Sequence, residues 1–236
     1  MKCGNDWKCV GGTHEYWSGD PTGKIPYEII YIDDKNDGGC KSDKFERDVR
    51  VLRADVADNP KNDRAHYYLG QSLKDLGKFE EAIEMFMKRI ELGGWFEERW
   101  YAHYQIAKCY DHMGQPYEME AWMNRALDAH SRRAEPIYFK CKRLREHGQN
   151  HKAYHYYLIE GRDIPNPKDD VLFIEDAVYS GLFEYGNTIL ACYVNGKSHL
   201  DSLYDVVSSL NRGIPHHVSN VWNLLGHFQG ARDQGS

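Results

Sequence analysis

The chain has 236 residues, 41% of them hydrophobic, and a formal net charge of −6 at pH 7, so it is long enough to bury a core. The acidic balance and the lack of a concentrated basic stretch argue against nucleic acid as the main partner. We expect a cytoplasmic protein, because no apolar run could span a membrane, no signal peptide opens the chain, and the six cysteines form no C-x-x-C pair.

Residues 1–40 do not follow a helical period. Gly, Asp, Asn and Pro interrupt two short β-favouring runs, residues 7–10 and 27–32. We predict a short strand pair that ends in a loop over residues 33–40. The segment is too small and polar to fold alone, so it is expected to pack on the helices or on something missing from this chain.

Residues 41–61 are predicted to form a capping helix. Ser42 is a suitable N-cap, and the helix ends before Asn59 and Pro60. Four apolar residues mark its buried face: Phe45, Val49, Leu52 and Val56. The helix has the character of the second half of a repeat whose first half is absent, so we expect it to cap the N-terminal end of a helical array.

Residues 63–94 predict two amphipathic helices joined by a turn at Gly77. The apolar or small residues at helical spacing are His66, Leu69, Gly70 and Leu73 in the first helix, and Ala82, Ile83, Phe86 and Ile90 in the second. Gly70 and Ala82 are small where their neighbours are large, as two closely approaching helices require.

This pattern resembles the tetratricopeptide repeat, a helix–turn–helix unit of about 34 residues. Gly114 and Gly148 follow Gly77 at intervals near one repeat length. The resemblance implies an all-α solenoid of helical hairpins, wound as a right-handed superhelix. It is favoured over an ordinary antiparallel bundle with chance glycine turns.

The repeat period then divides the rest of the chain. Three repeats cover residues 62–167: the first spans 64–92, the second has helices at 95–112 and 116–130, and the third has helices at 135–147 and 150–162. A degenerate repeat and a C-terminal cap helix are predicted for residues 168–229, with helices at 171–179, 185–194, 200–210 and 218–228. The tail, residues 230–236, is expected to be disordered.

A tyrosine recurs at one position of the first helix in each repeat. Aligning the repeats on their turn glycines superimposes Tyr67, Tyr104 and Tyr138. Six polar residues follow them on the same helix faces: Gln71, Lys74, Lys108, Asp111, Lys142 and Arg145. First helices line the concave side of stacked repeats, so these nine residues predict a groove for a protein or peptide partner. The alternative is that the rings only pack between adjacent helices.

The N-terminal region carries a second resemblance. Residues 7–17, WKCVGGTHEYW, and 37–48, DGGCKSDKFERD, are similar to the end of the catalytic domain of family-2 glycosyltransferases. In a bacterial and viral branch of that family, tetratricopeptide repeats follow this domain directly. The resemblance implies that His14 binds a divalent metal (Mn or Mg) that bridges the sugar nucleotide's diphosphate. It places Lys41, Lys44 and Arg47 near phosphate oxygens. The alternative for His14 is a polar residue that holds a strand end.

The rest of such an active site has no counterpart in the sequence. The family's Asp-x-Asp metal motif is absent, and no nucleophile elbow, P-loop or Rossmann glycine pattern occurs. His147, His151 and His155 have i, i+4 spacing, but a solvated face is favoured over a metal site. For this chain alone we therefore expect no cofactor and no sugar transfer.

Three functions follow from these patterns, the third of which is a free-standing adaptor unrelated to sugars. The favoured one is a repeat scaffold that holds a protein partner, an acceptor or its own missing catalytic domain. The alternative is a fragment of an active, metal-dependent glycosyltransferase that uses a sugar-nucleotide donor.

Overall fold

The computed structural model describes residues 8–11, 13, 16–18, 44–161 and 164–195. The predictions for residues 27–40, for the helices at 200–210 and 218–228, and for the tail at 230–236 lie outside the described residues. The chain divides into two compact units, residues 1–119 and 120–236. No helix in the described part is long and apolar enough to cross a membrane.

The first unit contains a β-hairpin and four long helices. Strand β1 (Lys8–Val10) pairs antiparallel with β2 (Tyr16–Ser18), and Cys9 lies opposite Trp17. The helices are α1 (Lys44–Asp58), α2 (Asp63–Asp75), α3 (Phe79–Glu91) and α4 (Phe96–His112). The first strand lies in the run predicted for residues 7–10, whereas β2 was not predicted.

Helices α2 and α3 form the hairpin that the sequence predicted. Gly70 faces the ring of Phe86, and a Cβ atom added to Gly70 would lie only 2.9 Å from the nearest ring carbons. Phe86 is fully buried, as is Ala82, and Leu69 and Leu73 pack in the same core. The close approach predicted from the small residues is therefore confirmed.

The three turn glycines each follow the first helix of a hairpin. Gly77, Gly114 and Gly148 have φ angles of 74°, 69° and 72°, in the left-handed region that glycine adopts without a Cβ penalty. The spacing of these glycines in the sequence therefore located the hairpin turns correctly.

A buried arginine holds the connection between α3 and α4. Arg89 has no exposed side-chain surface, and its Nε donates to Glu98 Oε2 over 2.7 Å. Its two terminal nitrogens donate to the carbonyl oxygens of Gly93 and Trp95. The guanidinium therefore bonds backbone carbonyl oxygens of the connection between α3 and α4.

The second unit contains most of α5 (Pro116–Ala129), which begins just before the boundary, followed by α6 (Glu135–Glu146) and α7 (Asn150–Tyr156). A π-helical turn, Tyr157–Gly161, extends α7, and a second one, Val178–Leu182, leads into α8 (Phe183–Asn195). One core cluster joins these elements: Ala134, Ile137, Cys141, Tyr157, Val178 and Phe183.

The helix predicted for residues 171–179 is wrong over most of its length. Residues 171–175 are not helical, and Phe173 has a positive φ of 52°. The cause is the buried side chain of Arg133, which donates to the carbonyl oxygens of Leu172 (3.3 Å) and Phe173 (2.9 Å). Further along, the Tyr179 hydroxyl donates to Glu135 Oε2 over 2.7 Å. These long-range contacts fix the segment as a loop, and local sequence does not reveal them.

Candidate interaction surface

Two of the three tyrosines predicted to line a groove lie in the core of the first unit. Tyr67 and Tyr104 are 0% and 1% exposed. The Tyr67 ring lies 6.0 Å from Phe86, and the Tyr104 ring is stacked 6.0 Å from Trp100. For these two residues the structure favours the alternative in which the rings pack between helices. Burial raises the pKa of the Tyr67 hydroxyl, which accepts a hydrogen bond from Gln71.

A second pair of tyrosines lies against the buried pair and is only partly covered. Tyr68 of α2 meets Tyr67 edge-on at a centroid distance of 5.2 Å. Tyr101 of α4 lies 5.8 Å from Tyr104 and 6.5 Å from Tyr67. Two half-buried rings, one on each of two neighbouring first helices, therefore pack against two fully buried rings.

Sequence reasoning missed Tyr68 and Tyr101 as candidate contact residues. A signal was present, since Tyr101 lies three residues before Tyr104 and Arg64 lies four residues before Tyr68, the spacings that bring helical side chains together. Aligning the repeats on their turn glycines selected the tyrosine that recurs at one position, and the residues next to it were not considered.

Arg64 lies beside one of the half-buried rings. Its guanidinium carbon is 4.8 Å from the Tyr68 ring centroid, and one of its nitrogens is 4.0 Å from Glu98 Oε1. Burial raises the pKa of the Tyr68 hydroxyl, Arg64 acts in the opposite direction, and Glu98 adds to the increase. The Tyr68 hydroxyl is therefore neutral at physiological pH.

The predicted polar residues of the first two repeats are held in place around these rings. The Lys74 ammonium donates to Gln105 Oε1 over 2.7 Å, which links α2 to α4. The Lys108 ammonium lies 4.1 Å from the centroid of the Tyr104 ring. Asp111 is half-buried one turn further along α4. We name the following set the tyrosine surface: Arg64, Tyr68, Gln71, Lys74, Tyr101 and Lys108.

In the second unit, the three predicted groove residues of the third repeat lie together. Tyr138, Lys142 and Arg145 line one depression, and Tyr138 meets the Phe183 ring edge-on at 5.7 Å. Asn187 of α8, which was not a predicted contact residue, also lines this depression. The enclosed volume is about 10 Å³, which is room for no more than one water molecule. The depression is therefore too small for a ligand of its own.

The residues tied to the glycosyltransferase resemblance are described only in part. His14 and Lys41 lie outside the described residues. Lys44 and Arg47 are exposed in the first turn of α1, and Arg47 pairs with Asp48 over 3.3 Å. His147, His151 and His155 are exposed, and within the described ranges no group of three or more His, Cys, Asp or Glu side chains is placed to hold a metal ion.

Comparison with known families identifies the repeats. Residues 63–92 and 101–129 match the family model of the tetratricopeptide repeat, so the chain contains tetratricopeptide repeats. The matches give no support for a family-2 glycosyltransferase domain. A search of curated proteins found no match.

Solved structures share the fold at low sequence identity. The yeast Tom70 structure has a TM-score of 0.59 and 16% identity, covering 84% of this chain and 38% of that chain. A MamA RS-1 double mutant has a TM-score of 0.53 and 15% identity, covering 72% and 86%. A further MamA structure has a TM-score of 0.50 and 17% identity, covering 77% and 94%. The fold is therefore that of a tetratricopeptide-repeat-like helical solenoid.

Proposed function

We propose that this chain is a scaffold that binds an extended segment of a protein partner across the tyrosine surface of its first unit. The observation that carries the proposal is the support of two half-buried rings, Tyr68 and Tyr101, by the buried rings of Tyr67 and Tyr104. Rings already fixed by packing lose little conformational freedom on binding, so more of the contact energy contributes to affinity. Partly exposed tyrosines with an adjacent arginine are also the residue types enriched among interface hot spots.

The polar side chains on this surface favour a partner that brings hydrogen-bond acceptors. Lys74 and Lys108 are held by Gln105 and by the Tyr104 ring, so their ammonium groups are already positioned. An extended segment offers backbone carbonyl oxygens along its whole length, together with any acidic side chains. The rings supply apolar contact area between these polar positions, as in mixed polar and aromatic interfaces.

The experiment starts from a random peptide library displayed on phage and selected on the intact chain. Enriched peptides are then synthesised, and their affinities are measured by fluorescence anisotropy. We expect Tyr68→Ala and Tyr101→Ala each to weaken binding at least about tenfold, or about 1.4 kcal/mol. Tyr117→Ala and Tyr193→Ala are the matched controls, because both tyrosines are well exposed elsewhere (84% and 63%). Equal affinities in all four variants would contradict the proposal.

A finer version of the proposal makes the partner an acceptor or a catalytic domain of the glycosyltransferase family-2 kind. It is supported by the order of the sequence motifs, with the glycosyltransferase-like segment directly before the repeats. Residues of that segment, Gly11 and Thr13, line a cavity together with α1 and α2. This proximity fits a segment that packs on the repeats.

The finer version and the enzyme alternative make opposite predictions for the isolated chain. Sugar transfer requires the donor diphosphate to be held and its charge neutralised. We expect no manganese-dependent sugar-nucleotide binding above that of a His14→Ala control. Turnover by the isolated chain that His14→Ala abolishes would instead establish the alternative, an active glycosyltransferase fragment.

A further inference from the structure

A cavity of about 250 Å³ lies inside the first unit, at the N-terminal end of α2. Its walls come from four places: Gly11 and Thr13 after β1, helix α1, the N-cap and first two turns of α2, and one residue of α4. The volume lies just below the range of roughly 300–1,000 Å³ typical of drug-sized ligands. It therefore suits a ligand no larger than about one monosaccharide.

The charged groups in the wall already have partners within the protein. Glu98 is paired with Arg89 at 2.7 Å and lies 4.0 Å from Arg64. Asp63 is 3.5 Å from Arg89. A charged ligand would have to compete with these internal pairs and pay its own desolvation cost. The charge arrangement therefore favours a neutral ligand.

The wall also offers uncharged hydrogen-bonding groups. Thr13 Oγ1 is shielded from solvent and, among the residues that the structure describes, has no hydrogen-bond partner. A shielded hydroxyl in this state needs a ligand or water to complete its bonding. Asn62 uses its side-chain oxygen to cap α2 at Ala65 N over 3.0 Å, and its amide nitrogen is a donor. Asp55 adds carboxylate oxygens, which accept hydrogen bonds from hydroxyl groups.

An aromatic ring completes the chemistry of the cavity. Tyr68 contributes to the wall, and the guanidinium carbon of Arg64 lies 4.8 Å from the centroid of its ring. Arg64 therefore already occupies the place on this ring where a cationic ligand would bind. A ligand with hydroxyl groups and an apolar C–H face can use the acceptors, the donors and the remaining ring surface together.

From this combination we propose that the cavity binds a small, neutral, polyhydroxylated ligand the size of one monosaccharide. Its hydroxyl groups donate to Asp55 and exchange hydrogen bonds with Thr13, and its C–H face lies against Tyr68. The site adjoins the tyrosine surface and shares Arg64 and Tyr68 with it.

Saturation-transfer NMR on the intact chain tests ligand binding directly. The probes are methyl glucoside, methyl galactoside, methyl mannoside and N-acetylglucosamine at millimolar concentration, with cadaverine as a charged probe of similar size. We expect saturation transfer to at least one sugar and none to cadaverine. Binding of cadaverine instead, or of none of the four sugars, overturns the proposal.

Substitutions then locate the binding site. Thr13→Val removes the hydroxyl while keeping the side-chain shape, and Asp55→Asn removes the charge and one acceptor. The matched control is Asp58→Asn, an exposed position on the same helix that does not line the cavity. We expect each cavity variant to weaken sugar binding at least tenfold and the control less than twofold, with unchanged circular dichroism in all three. Sugar binding that survives both cavity substitutions overturns the assignment. None of the substituted residues belongs to the tyrosine surface, so peptide affinity remains an independent measurement.

Discussion

Tyr67 and Tyr68 are neighbours in the sequence, yet one is fully buried and the other half-buried. Adjacent positions on a helix point about 100° apart, so one ring enters the core while the next reaches its edge. The sequence predicted that first-helix tyrosines matter, because they recur at one repeat position. Their depth depends on how Tyr101 and Tyr104 of α4 pack on α2, which no local pattern records.

This difference in depth predicts different costs for the same substitution. Tyr67→Ala removes a fully buried ring and should lower the free energy of unfolding by about 3–5 kcal/mol, as for other buried aromatic residues. Tyr68→Ala removes a half-buried ring and should cost only about 1 kcal/mol. Urea unfolding followed by circular dichroism measures both. Similar losses for the two variants would show that the assignment of core and surface rings is wrong.

The buried thiols Cys109 and Cys141 give the protein a predictable response to alkaline pH. Burial raises the pKa of each thiol to about 12. In the unfolded chain these thiols ionise near their ordinary value of about 8.5. The stabilisation from keeping them protonated is therefore complete below that value and is lost as the pH rises towards 12.

We expect the free energy of unfolding to fall between about pH 8 and about pH 11, in part because of these two groups. Cys141→Ala should flatten this dependence. The control is Cys9→Ala, which removes an exposed thiol instead of a buried one. An identical slope in Cys141→Ala and the unmodified chain would contradict the role given to this thiol.

Among the elements, the hairpins were predictable and the loop after α7 was not. Apolar spacing and turn glycines are local signals, and they located α2, α3 and α4 to within a residue or two. The non-helical segment over residues 171–175 depends on a buried arginine, Arg133, that lies about 40 residues earlier in the chain. A single side chain that bonds distant carbonyl oxygens has no periodic signature, so sequence reasoning assigned a helix there.

The α2–α3 hairpin depends on the absence of one side chain. Gly70→Ala would place a methyl group 2.9 Å from the Phe86 ring, so we expect a loss of about 1–3 kcal/mol in the free energy of unfolding, as for other overpacked cores. Thermal and urea unfolding measure this loss. Adding Phe86→Leu makes room for the methyl group, and the double variant should lose less than the sum of the two single changes. Strict additivity would show that the two residues do not press on each other.

At the scale of the whole molecule, the fold was more predictable than the function. A repeat period constrains every hairpin in turn, and the family match and the solved structures agree with the tetratricopeptide-repeat fold. The glycosyltransferase resemblance rests on two short segments, and His14 lies outside the described residues. Short segments constrain few positions, so that relation remains a proposal.

The tyrosine surface is the central claim, and NMR of the chain with isotope-labelled tyrosines tests it most directly. A peptide enriched by selection is titrated into the labelled protein, and single Tyr→Phe variants assign the ring resonances. The account predicts that Tyr68 and Tyr101 shift with peptide concentration, while the exposed rings of Tyr117 and Tyr193 do not. Shifts confined to Tyr117 or Tyr193, with Tyr68 and Tyr101 unchanged at saturation, would contradict it.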